Sequence, residues 1–298
     1  MSIKEQPPQQ LHIPVLLDKT LELLSPNSGE NYLDLTAGYG GHAGRILEKT
    51  GNYRDSVLVD RDDYAISRLS RFSDQGVNLM HTDFVTAAQA LQEKGTKFDI
   101  ILVDLGVSSP QLDQNERGFS FKNDGPLDMR MDRRQEVSAQ TLINTASAEE
   151  LARIIRDYGE EPFGVARQIA ASIVGARPLN TTRELAELIE NTVRRPRKKI
   201  HPATRTFQAI RMAVNQELRQ IELTLPILPK LLKPGGRLGV ISFHSLEDRL
   251  VKRYFAAQSA AKIEAEIDVL TKKPLDGATY DVHNPRSRSA KLRVAVKK

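Results

Sequence analysis

Four aspartates stand at or near the ends of four short apolar runs in the first part of the chain: Asp34, Asp60, Asp83 and Asp104. An ionised carboxylate at such a position attracts a cation and accepts hydrogen bonds from hydroxyl or amino groups. In open α/β sheets, ligands bind beyond the carboxyl ends of the strands. The four acids therefore predict a ligand site along one edge of a parallel sheet.

A glycine-rich turn directly follows the first of these acids. Residues 32–35 are predicted to form a buried strand, a helix is predicted from Ala43, and Gly38, Gly40 and Gly41 lie between them. This order of strand, turn and helix brings backbone N–H groups close to a nucleotide-like ligand. A turn of the same composition that binds nothing is the alternative at this point.

The positions of Asp34 and Asp60 narrow the chemistry of the ligand. In dinucleotide-binding folds the helix N-terminus after the glycines accepts a pyrophosphate, which the carboxylate of Asp34 would repel. The same carboxylate would attract a cation such as the amino group of a methionine moiety. Asp60 lies about twenty residues beyond the glycines, where an acid binds ribose hydroxyls. A ribose, a positive end and no phosphates describe S-adenosylmethionine, and two solvated acids at strand ends are the alternative.

Composition limits the class of protein. The chain has 298 residues, enough for one large or two modest domains. Its net charge of +5 suits a polyanionic partner without establishing one. Because it has no cysteine, disulfides and thiolate metal sites are excluded, and we predict no metal site. No apolar run is long enough to cross a bilayer and residues 1–10 are not signal-like, so we expect a cytoplasmic enzyme without membrane contact.

The order of predicted elements gives the fold class. Four strand–helix repeats in succession predict a parallel, doubly wound α/β sheet. From residue 111 the repeats stop, and a long irregular stretch is followed by helices only, two of them opened by capping-box signals at Ser147 and Thr181. The predicted domains are two parts of one core, 1–110 and 202–298, and a helical insertion, 111–201.

The second core part is predicted to complete the sheet. A fifth strand is expected at 237–243, followed by a helix with Ser245 as its cap. Two closing strands are expected near 267–270 and 292–296, separated by a basic loop.

Several long motifs are spread over the chain: Asp104-Leu-Gly-Val-Ser-Ser-Pro-Gln-Leu-Asp113, Arg117-Gly-Phe-Ser-Phe121, Gly125-Pro-Leu-Asp-Met-Arg-Met-Asp132, His201-Pro-Ala-Thr-Arg-Thr-Phe-Gln208 and Ile241-Ser-Phe-His-Ser-Leu-Glu-Asp-Arg249. With them the chain resembles, over nearly its whole length, the bacterial small-subunit ribosomal RNA cytosine-N4 methyltransferases, often called the MraW family. The resemblance implies a Rossmann-like class I S-adenosylmethionine-dependent methyltransferase core with an inserted all-helical domain for RNA or substrate recognition. It also implies methyl transfer to the exocyclic N4 of one cytosine near the P site, in the decoding region of 16S rRNA within the small ribosomal subunit.

The resemblance also implies which residues contact the cofactor: Gly40, Gly41, His42, Asp60, Phe84, Asp104 and Gln111. Asp34 joins this set because of its own position before the glycines. His42 is expected to brace the turn rather than to act as an acid or base. Departures from the family pattern are mild. Ala37 and Tyr39 differ within the turn, and residues 256–279 match poorly, so the sixth strand is the least secure element.

Methyl transfer to cytosine N4 sets a chemical requirement. The N4 lone pair is delocalised into the ring, so the enzyme must hold the amine in line with the sulfonium methyl. An acceptor for an N4 proton favours the tetrahedral nitrogen that forms. Many amino methyltransferases carry an Asp/Asn-Pro-Pro-aromatic motif at the end of the fourth strand, where this chain has Asp104-Leu-Gly-Val. We predict that Asp104, or a carbonyl just after it, accepts the proton; the alternative is that Asp104 contacts only the cofactor.

Aromatic and basic residues are the candidates for RNA contact. Phe119 and Phe121 would stack on an extruded cytosine or, alternatively, pack the loop onto the core. His244 would contact the target base or backbone, or serve as a structural residue at a strand end, and His201 has no assigned role. The basic residues that would meet RNA phosphates, or form a solvated face, are Arg194, Arg195, Arg197, Lys198, Lys199, Arg286 and Arg288.

Three other functions agree with parts of the pattern. A dinucleotide oxidoreductase uses the same kind of sheet, but Asp34 argues against it. A non-catalytic RNA-binding assembly factor would keep the fold, although the glycine turn, Asp60 and Asp104 argue for catalysis. A methyltransferase acting on another nucleic acid, such as DNA, also agrees with the motifs. The sequence leaves open whether the protein is a monomer or a homodimer.

Overall fold

The computed structural model describes residues 13–193 and 201–298. This part of the chain divides into two compact units. The first contains Tyr64–Leu105, Pro226–Lys298 and the described residues before Arg61. The second contains Arg61–Asp63 and the described residues of Gly106–Leu225. Each unit has its own hydrophobic core.

The first unit is built on one eight-stranded sheet. Its strands are β1 Tyr32–Asp34, β2 Val57–Asp60, β3 Asn78–His81, β4 Phe98–Asp104, β5 Leu232–Ser242, β6 Ile267–Val269, β7 Leu275–Asp276 and β8 Lys291–Lys297. They lie in the order β3-β2-β1-β4-β5-β8-β6, and β7 pairs with β8. Strands β1 to β5 run parallel, whereas β8 is antiparallel to β5. The predicted α/β class with a doubly wound parallel sheet is confirmed.

Helices cover the sheet and build the second unit. They are α1 Leu17–Leu24, α2 Gly41–Thr50, α3 Asp63–Ser73, α4 Phe84–Glu93, α5 Ser109–Asp113, α6 Ala139–Thr145, α7 Ala148–Gly159, α8 Phe163–Gly175, α9 Thr182–Thr192, α10 Ala203–Asn215, α11 Glu217–Thr224, α12 Leu228–Leu231, α13 Ser245–Ala260 and α14 Gly277–Tyr280. The second unit contains α5 to α11. No helix within the described ranges has both the length and the apolar composition that crossing a membrane requires.

Burial of β4 explains its sequence. Ile100, Ile101 and Leu102 are completely buried. Strands of a parallel sheet are covered on both faces, so they are continuous apolar runs rather than alternating ones. The two acids that flank this apolar run, Asp99 before it and Asp104 at the carboxyl end of the strand, are partly exposed.

The sheet register brings three of the predicted acids together. Asp34 is aligned with Leu58 on β2 and with Leu102 on β4. Because these strands are parallel, their carboxyl ends meet at one edge of the sheet. Asp34, Asp60 and Asp104 therefore lie at the same edge, as the sequence predicted. We call these three residues the acidic rim.

Both predicted capping signals begin helices in the second unit. The Ser147 hydroxyl accepts a hydrogen bond from the Glu150 N–H at 3.1 Å, at the start of α7. At the start of α9, the Thr181 hydroxyl accepts the Glu184 N–H at 3.2 Å and the Glu184 carboxylate accepts the Thr181 N–H at 3.1 Å. Loss of such a cap typically destabilises a protein by about 1 kcal/mol.

The structure moves one predicted domain boundary. Phe207, Ile210 and Val214 of α10 are buried in the same cluster as Leu151 and Ile155 of α7. The sequence predicts that residues from 202 onward belong to the sheet core, whereas the second unit extends to Leu225. The apolar face of α10 packs against other helices. The helical period of the sequence predicts that this face is buried, but it does not predict which element covers it.

Candidate cofactor site at the carboxyl ends of the strands

Asp34 lies at the end of β1 with only 1% of its surface exposed. Its Oδ2 accepts a hydrogen bond from the Tyr32 hydroxyl at 2.7 Å, and its Oδ1 accepts one from the Thr36 N–H at 3.1 Å. Burial raises the pKa of Asp34 to about 7, while these two hydrogen bonds favour the ionised form and oppose the rise. Asp34 is therefore a carboxyl group that changes its charge near neutral pH.

The glycine turn is fixed by a hydrogen bond and by close packing against neighbouring side chains. The Gly38 N–H donates to Oδ2 of Asp60 at 2.8 Å, which ties the turn to the end of β2. Gly40 has a φ of 77°, and a Cβ atom there would collide with the ring of Phe72. A Cβ atom at Gly41 would lie 2.6 Å from Pro14. Glycine is therefore required at both positions, and this tight packing fixes the conformation of the turn.

Asp104 carries a carboxylate oxygen that lacks a partner. Its backbone N–H donates to the Thr36 hydroxyl at 2.6 Å. About a quarter of the side chain is exposed, 26%, but Oδ1 is buried and has no hydrogen-bond partner in the described part of the chain. Burial raises the pKa of Asp104 well above its usual range, and the charges of Asp34 and Glu247 raise it further. A buried acceptor without a donor is unfavourable, so a ligand donor or cation is most stabilising here.

His42, the second residue of α2, is the neighbour of Asp104. Its Nε2 lies 3.8 Å from Oδ2 of Asp104, which is beyond hydrogen-bond distance. Burial lowers the pKa of His42 to about 4, and the backbone of Val15 opposes this with a smaller effect. Neither ring nitrogen of His42 makes a hydrogen bond within the described residues. His42 is therefore neutral at physiological pH and supplies no positive charge to Asp104.

Glu247, in the first turn of α13, is a further acid at this edge that sequence reasoning missed. It is completely buried, and its Oε2 accepts the Phe243 N–H at 2.8 Å, just after the end of β5. His244 is the N-cap of α13 and accepts the Glu247 N–H at 3.4 Å through Nδ1. The prediction of Ser245 as the cap is therefore wrong, and the structure favours the structural interpretation of His244 over RNA contact. The three-residue spacing of His244 and Glu247, as in a capping box, was the available signal.

Asp83 is the fourth predicted acid and has a local role. Its Oδ1 accepts the N–H groups of Val85 and Thr86, each at 3.0 Å, at the start of α4. The capping interpretation is thereby favoured over one in which Asp83 faces a ligand. Phe84, a predicted cofactor contact, is the first residue of the same helix, and 8% of its surface is exposed.

Gln111 and Arg117 are engaged within the second unit. The Gln111 amide donates to Oδ2 of Asp62 at 2.7 Å, and its Oε1 accepts the Ser108 N–H at 2.9 Å. Nη1 of Arg117 lies 2.8 Å from the same Asp62 oxygen, and both side chains are only 2% exposed. Arg117 also donates to the backbone carbonyl of Arg130 at 3.0 Å. The motif that begins at Arg117 thus contains a buried ion pair, which sequence reasoning did not identify.

The predicted RNA-contact residues differ in how exposed they are. Phe119 is 6% exposed in the core of the second unit, which favours the packing interpretation for this ring. Phe121 is partly buried, with its ring centroid 4.7 Å from that of His201 and 4.8 Å from that of Phe207. Arg286 is exposed in the first unit, as is Arg288. Five predicted basic contacts lie outside the described residues: Arg194, Arg195, Arg197, Lys198 and Lys199.

The fold and this edge of the sheet define a class of protein. An antiparallel strand, β8, lies between the last parallel strand, β5, and β6, and it completes the Rossmann-like α/β core that the sequence predicted. Carboxyl groups crowd the edge where such sheets bind their ligands, and no lysine or arginine of the described ranges pairs with Asp34 or Asp104.

Comparison with known proteins identifies the family. A sequence model of the MraW methylase family matches residues 9–298. A Geobacter sp. protein named ribosomal RNA small subunit methyltransferase H is 47% identical, with 96% of this chain and 98% of that protein covered. A Cyanothece sp. protein of the same name is 49% identical, covering 98% of this chain and 96% of that protein. The chain belongs to the MraW methylase family.

Membership in this family confirms the predicted cofactor, because the family consists of S-adenosylmethionine-dependent methyltransferases. It also removes the dinucleotide oxidoreductase interpretation. The residues at the strand ends fit a cationic donor, since the buried Oδ1 of Asp104 offers an acceptor that the protein itself does not satisfy within the described ranges.

Proposed function

We propose that this methyltransferase transfers the methyl group of S-adenosylmethionine to the exocyclic N4 of one cytosine in the decoding region of 16S rRNA. The family and the names of the curated relatives support the small-subunit ribosomal RNA as substrate. The observation that carries the proposed chemistry is Asp104, whose buried Oδ1 has no partner in the described part of the chain. Such an atom suits a cationic donor and an amino group that must lose a proton.

The proposed donor site uses residues of the first unit. Asp34 and Asp104 provide negative charge for the positive end of the cofactor, at the ends of β1 and β4. Asp60, oriented by its hydrogen bond from the Gly38 N–H, binds the ribose hydroxyls. Phe84 offers an apolar side chain to the adenine. We leave Gln111 out of this set, because both ends of its amide have partners within the second unit.

Bound S-adenosylmethionine supplies an electrophilic methyl group. The residues of the chain must then orient the amine and accept its proton. Asp104 has the chemistry for the second task, because its raised pKa makes the ionised form a stronger base than an ordinary aspartate. Neutral His42 lies beside it at 3.8 Å and does not lower that basicity.

The substitution Asp104→Asn tests this role. We expect donor affinity, measured by calorimetry, to fall less than single-turnover methylation of small ribosomal subunits, which should drop by about 10²-fold or more. Asp83→Asn is the matched control, since Asn also caps helices and Asp83 serves as a cap. Unchanged turnover in Asp104→Asn would exclude proton acceptance. Equal losses of affinity and turnover would leave Asp104 as a cofactor contact only.

The modified base is tested independently. Mass mapping of 16S rRNA from cells with and without this protein should show one cytosine that loses a methyl group on its exocyclic nitrogen. A donor-site variant such as Asp60→Ala should fail to restore the methyl group. An unchanged map would reject the proposed substrate, and a methylated site in DNA would support the other nucleic acid considered above.

We propose that the helical unit contributes RNA recognition. Partly buried Phe121, which contacts the rings of His201 and Phe207, is its candidate for base stacking. The exposed Arg286 and Arg288 of the first unit are candidates for phosphate contact. Subunit affinity should then fall steeply with salt, with a slope that decreases by about 0.7 to 0.9 for each phosphate contact removed. A slope that stays the same in Arg286→Ala and Arg288→Ala would contradict this assignment.

A further inference from the structure

Asp34 and Asp104 lie close together at the ends of β1 and β4. Asp104 is two residues beyond Leu102, the partner of Asp34 in the sheet register. Thr36 joins the two acids, because its N–H donates to Asp34 at 3.1 Å and its hydroxyl accepts the Asp104 N–H at 2.6 Å. Within residues 13–193 and 201–298, neither carboxyl group pairs with a lysine or arginine.

The groups that face this pair are neutral or negative. Tyr32 on β1 donates its hydroxyl to Asp34, and Asp60 at the end of β2 adds negative charge to it. Glu247 at the start of α13 adds negative charge to Asp104. His42 on α2 is buried and neutral. Two carboxylates in such surroundings cannot both ionise without strong repulsion, so a proton or a cationic ligand is needed.

Donor and product differ in the charge that they bring to this place. The methyl donor carries a positive sulfonium, whereas the product left after transfer carries a neutral thioether. A positive charge nearby favours the ionised form of a carboxyl group, and its removal favours the protonated form. The charge on sulfur therefore acts on the proton affinity of any carboxyl group beside it.

We propose that the Asp34–Asp104 pair holds one proton fewer with the sulfonium donor bound than with the thioether product bound. The inference rests on the proposed function and extends it from methyl transfer to the fate of the proton. On transfer, the carbon–sulfur bond breaks with its electron pair going to sulfur, and the amine lone pair forms the new nitrogen–carbon bond. The proton that nitrogen then loses is taken by the pair, and it leaves for solvent when the next donor replaces the product.

This linkage lets the pair distinguish the sulfonium donor from the thioether product. The free pair holds a proton below about pH 7, since burial raises the pKa of Asp34 to about 7 and also raises the pKa of Asp104. Donor binding expels that proton, whereas product binding does not. Donor affinity should therefore rise with pH relative to product affinity, by up to tenfold for each pH unit if one proton is linked.

Calorimetry with the full-length protein tests the linkage without RNA. S-adenosylmethionine and S-adenosylhomocysteine are each titrated between pH 6 and 7 in buffers of different ionisation enthalpy. In this range the α-amino groups of both ligands stay largely protonated, because their pKa values lie at about 7.7 or above. We expect more protons to be released with the donor than with the product, and a rising ratio of donor to product affinity.

The outcomes separate this inference from the proposed function. If neither ligand binds, the proposed function fails. If both bind with equal proton release and a ratio that does not change with pH, only the proton linkage is overturned. The wild-type titration decides this by itself, so the inference does not depend on whether a variant folds.

Variants locate the linked proton. Asp34→Asn keeps an acceptor for the Tyr32 hydroxyl and should flatten the pH dependence of the affinity ratio. Tyr32→Phe removes a hydrogen bond that favours ionised Asp34 and should move the dependence to higher pH. Asp83→Asn, at a helix cap, should behave as wild type. A full wild-type dependence in Asp34→Asn would contradict the assignment to this pair.

Discussion

The hydroxyl of Tyr32 and the carboxyl of Asp34 lie 2.7 Å apart, two residues from each other on the same face of β1. Both side chains are buried, with 0% and 1% exposed. The hydrogen bond favours the ionised form of Asp34, yet burial outweighs it and raises the pKa to about 7. The protein thus keeps a carboxyl group whose ionisation opposes folding.

Stability at different pH values should reveal this group. The pKa of Asp34 is about 7 in the folded protein against 3.8 as its usual value, so the folded state loses stability as the pH rises from about 4 to 7. The loss amounts to about 4 kcal/mol. Urea unfolding at pH 5 and pH 8 should show a smaller decrease in Asp34→Asn than in wild type. Parallel curves for the two proteins would contradict the assigned pKa.

His42 should act in the opposite direction. Its folded pKa of about 4 lies below the usual 6.5, so the contribution is present above pH 6.5 and is lost as the pH falls towards 4, by about 3 kcal/mol in total. We expect the free energy of unfolding to decrease less between pH 8 and pH 5 in His42→Gln than in wild type. Chemical denaturation at pH 5 and pH 8 measures this. His283→Gln, which replaces an exposed histidine, is the matched control variant.

The buried ion pair of the second unit should be important for stability. Arg117→Met removes the guanidinium 2.8 Å from Asp62 and should destabilise the protein by about 3–5 kcal/mol. Arg156→Met is the matched control within the same unit, because its pair with Asp157 is 43% and 48% exposed, and solvent screens such a pair so that its loss should hardly change stability. Thermal unfolding compares the two.

The double variant Asp62→Asn/Arg117→Met sharpens that comparison. It removes the buried charge left behind by Arg117→Met and should regain part of the lost stability. A double variant that is less stable than the sum of both single changes would show that the charges are not what makes the site sensitive.

Gly40→Ala should disturb the cofactor turn. The new Cβ would meet the ring of Phe72, and the φ of 77° is unfavourable for alanine. We expect a loss of about 3 kcal/mol and weaker donor binding. Gly51→Ala, at a φ of 64° with nothing within 4 Å of its Cβ, isolates the backbone effect and should lose only about 1–2 kcal/mol. Phe72→Leu in the Gly40→Ala background should restore part of the difference.

Local patterns predicted the sheet edge well. An apolar run ending in an acid gave the strands, and parallel topology then required Asp34, Asp60 and Asp104 to share one edge. The helix cap at Ser147 and the capping box at Thr181 were also predictable, because each is a contact between residues three apart.

Contacts between distant residues were not predictable in this way. Asp62 and Arg117 meet only in the folded second unit, and nothing near Arg117 in the sequence marks it as buried. The partner of α10 likewise depends on which core receives its apolar face. Asp83 shows that a local pattern can be ambiguous. An acid at the end of a strand can face a ligand or can cap the following helix, and Asp83 does the second. The three-residue spacing of His244 and Glu247 indicates a helix cap, but it does not indicate that Glu247 also adds negative charge beside Asp104.

The short segment Arg61–Asp63 gives the helical unit an unusual dependence on the rest of the chain. It belongs to that unit although it directly follows β2, far from Gly106–Leu225 in sequence. A fragment cut at residues 106 and 225 would lack Asp62 and would enclose the guanidinium of Arg117 with no counter-ion from this segment. The helices are therefore not a detachable module, and any attempt to express or transplant them must carry those three residues along.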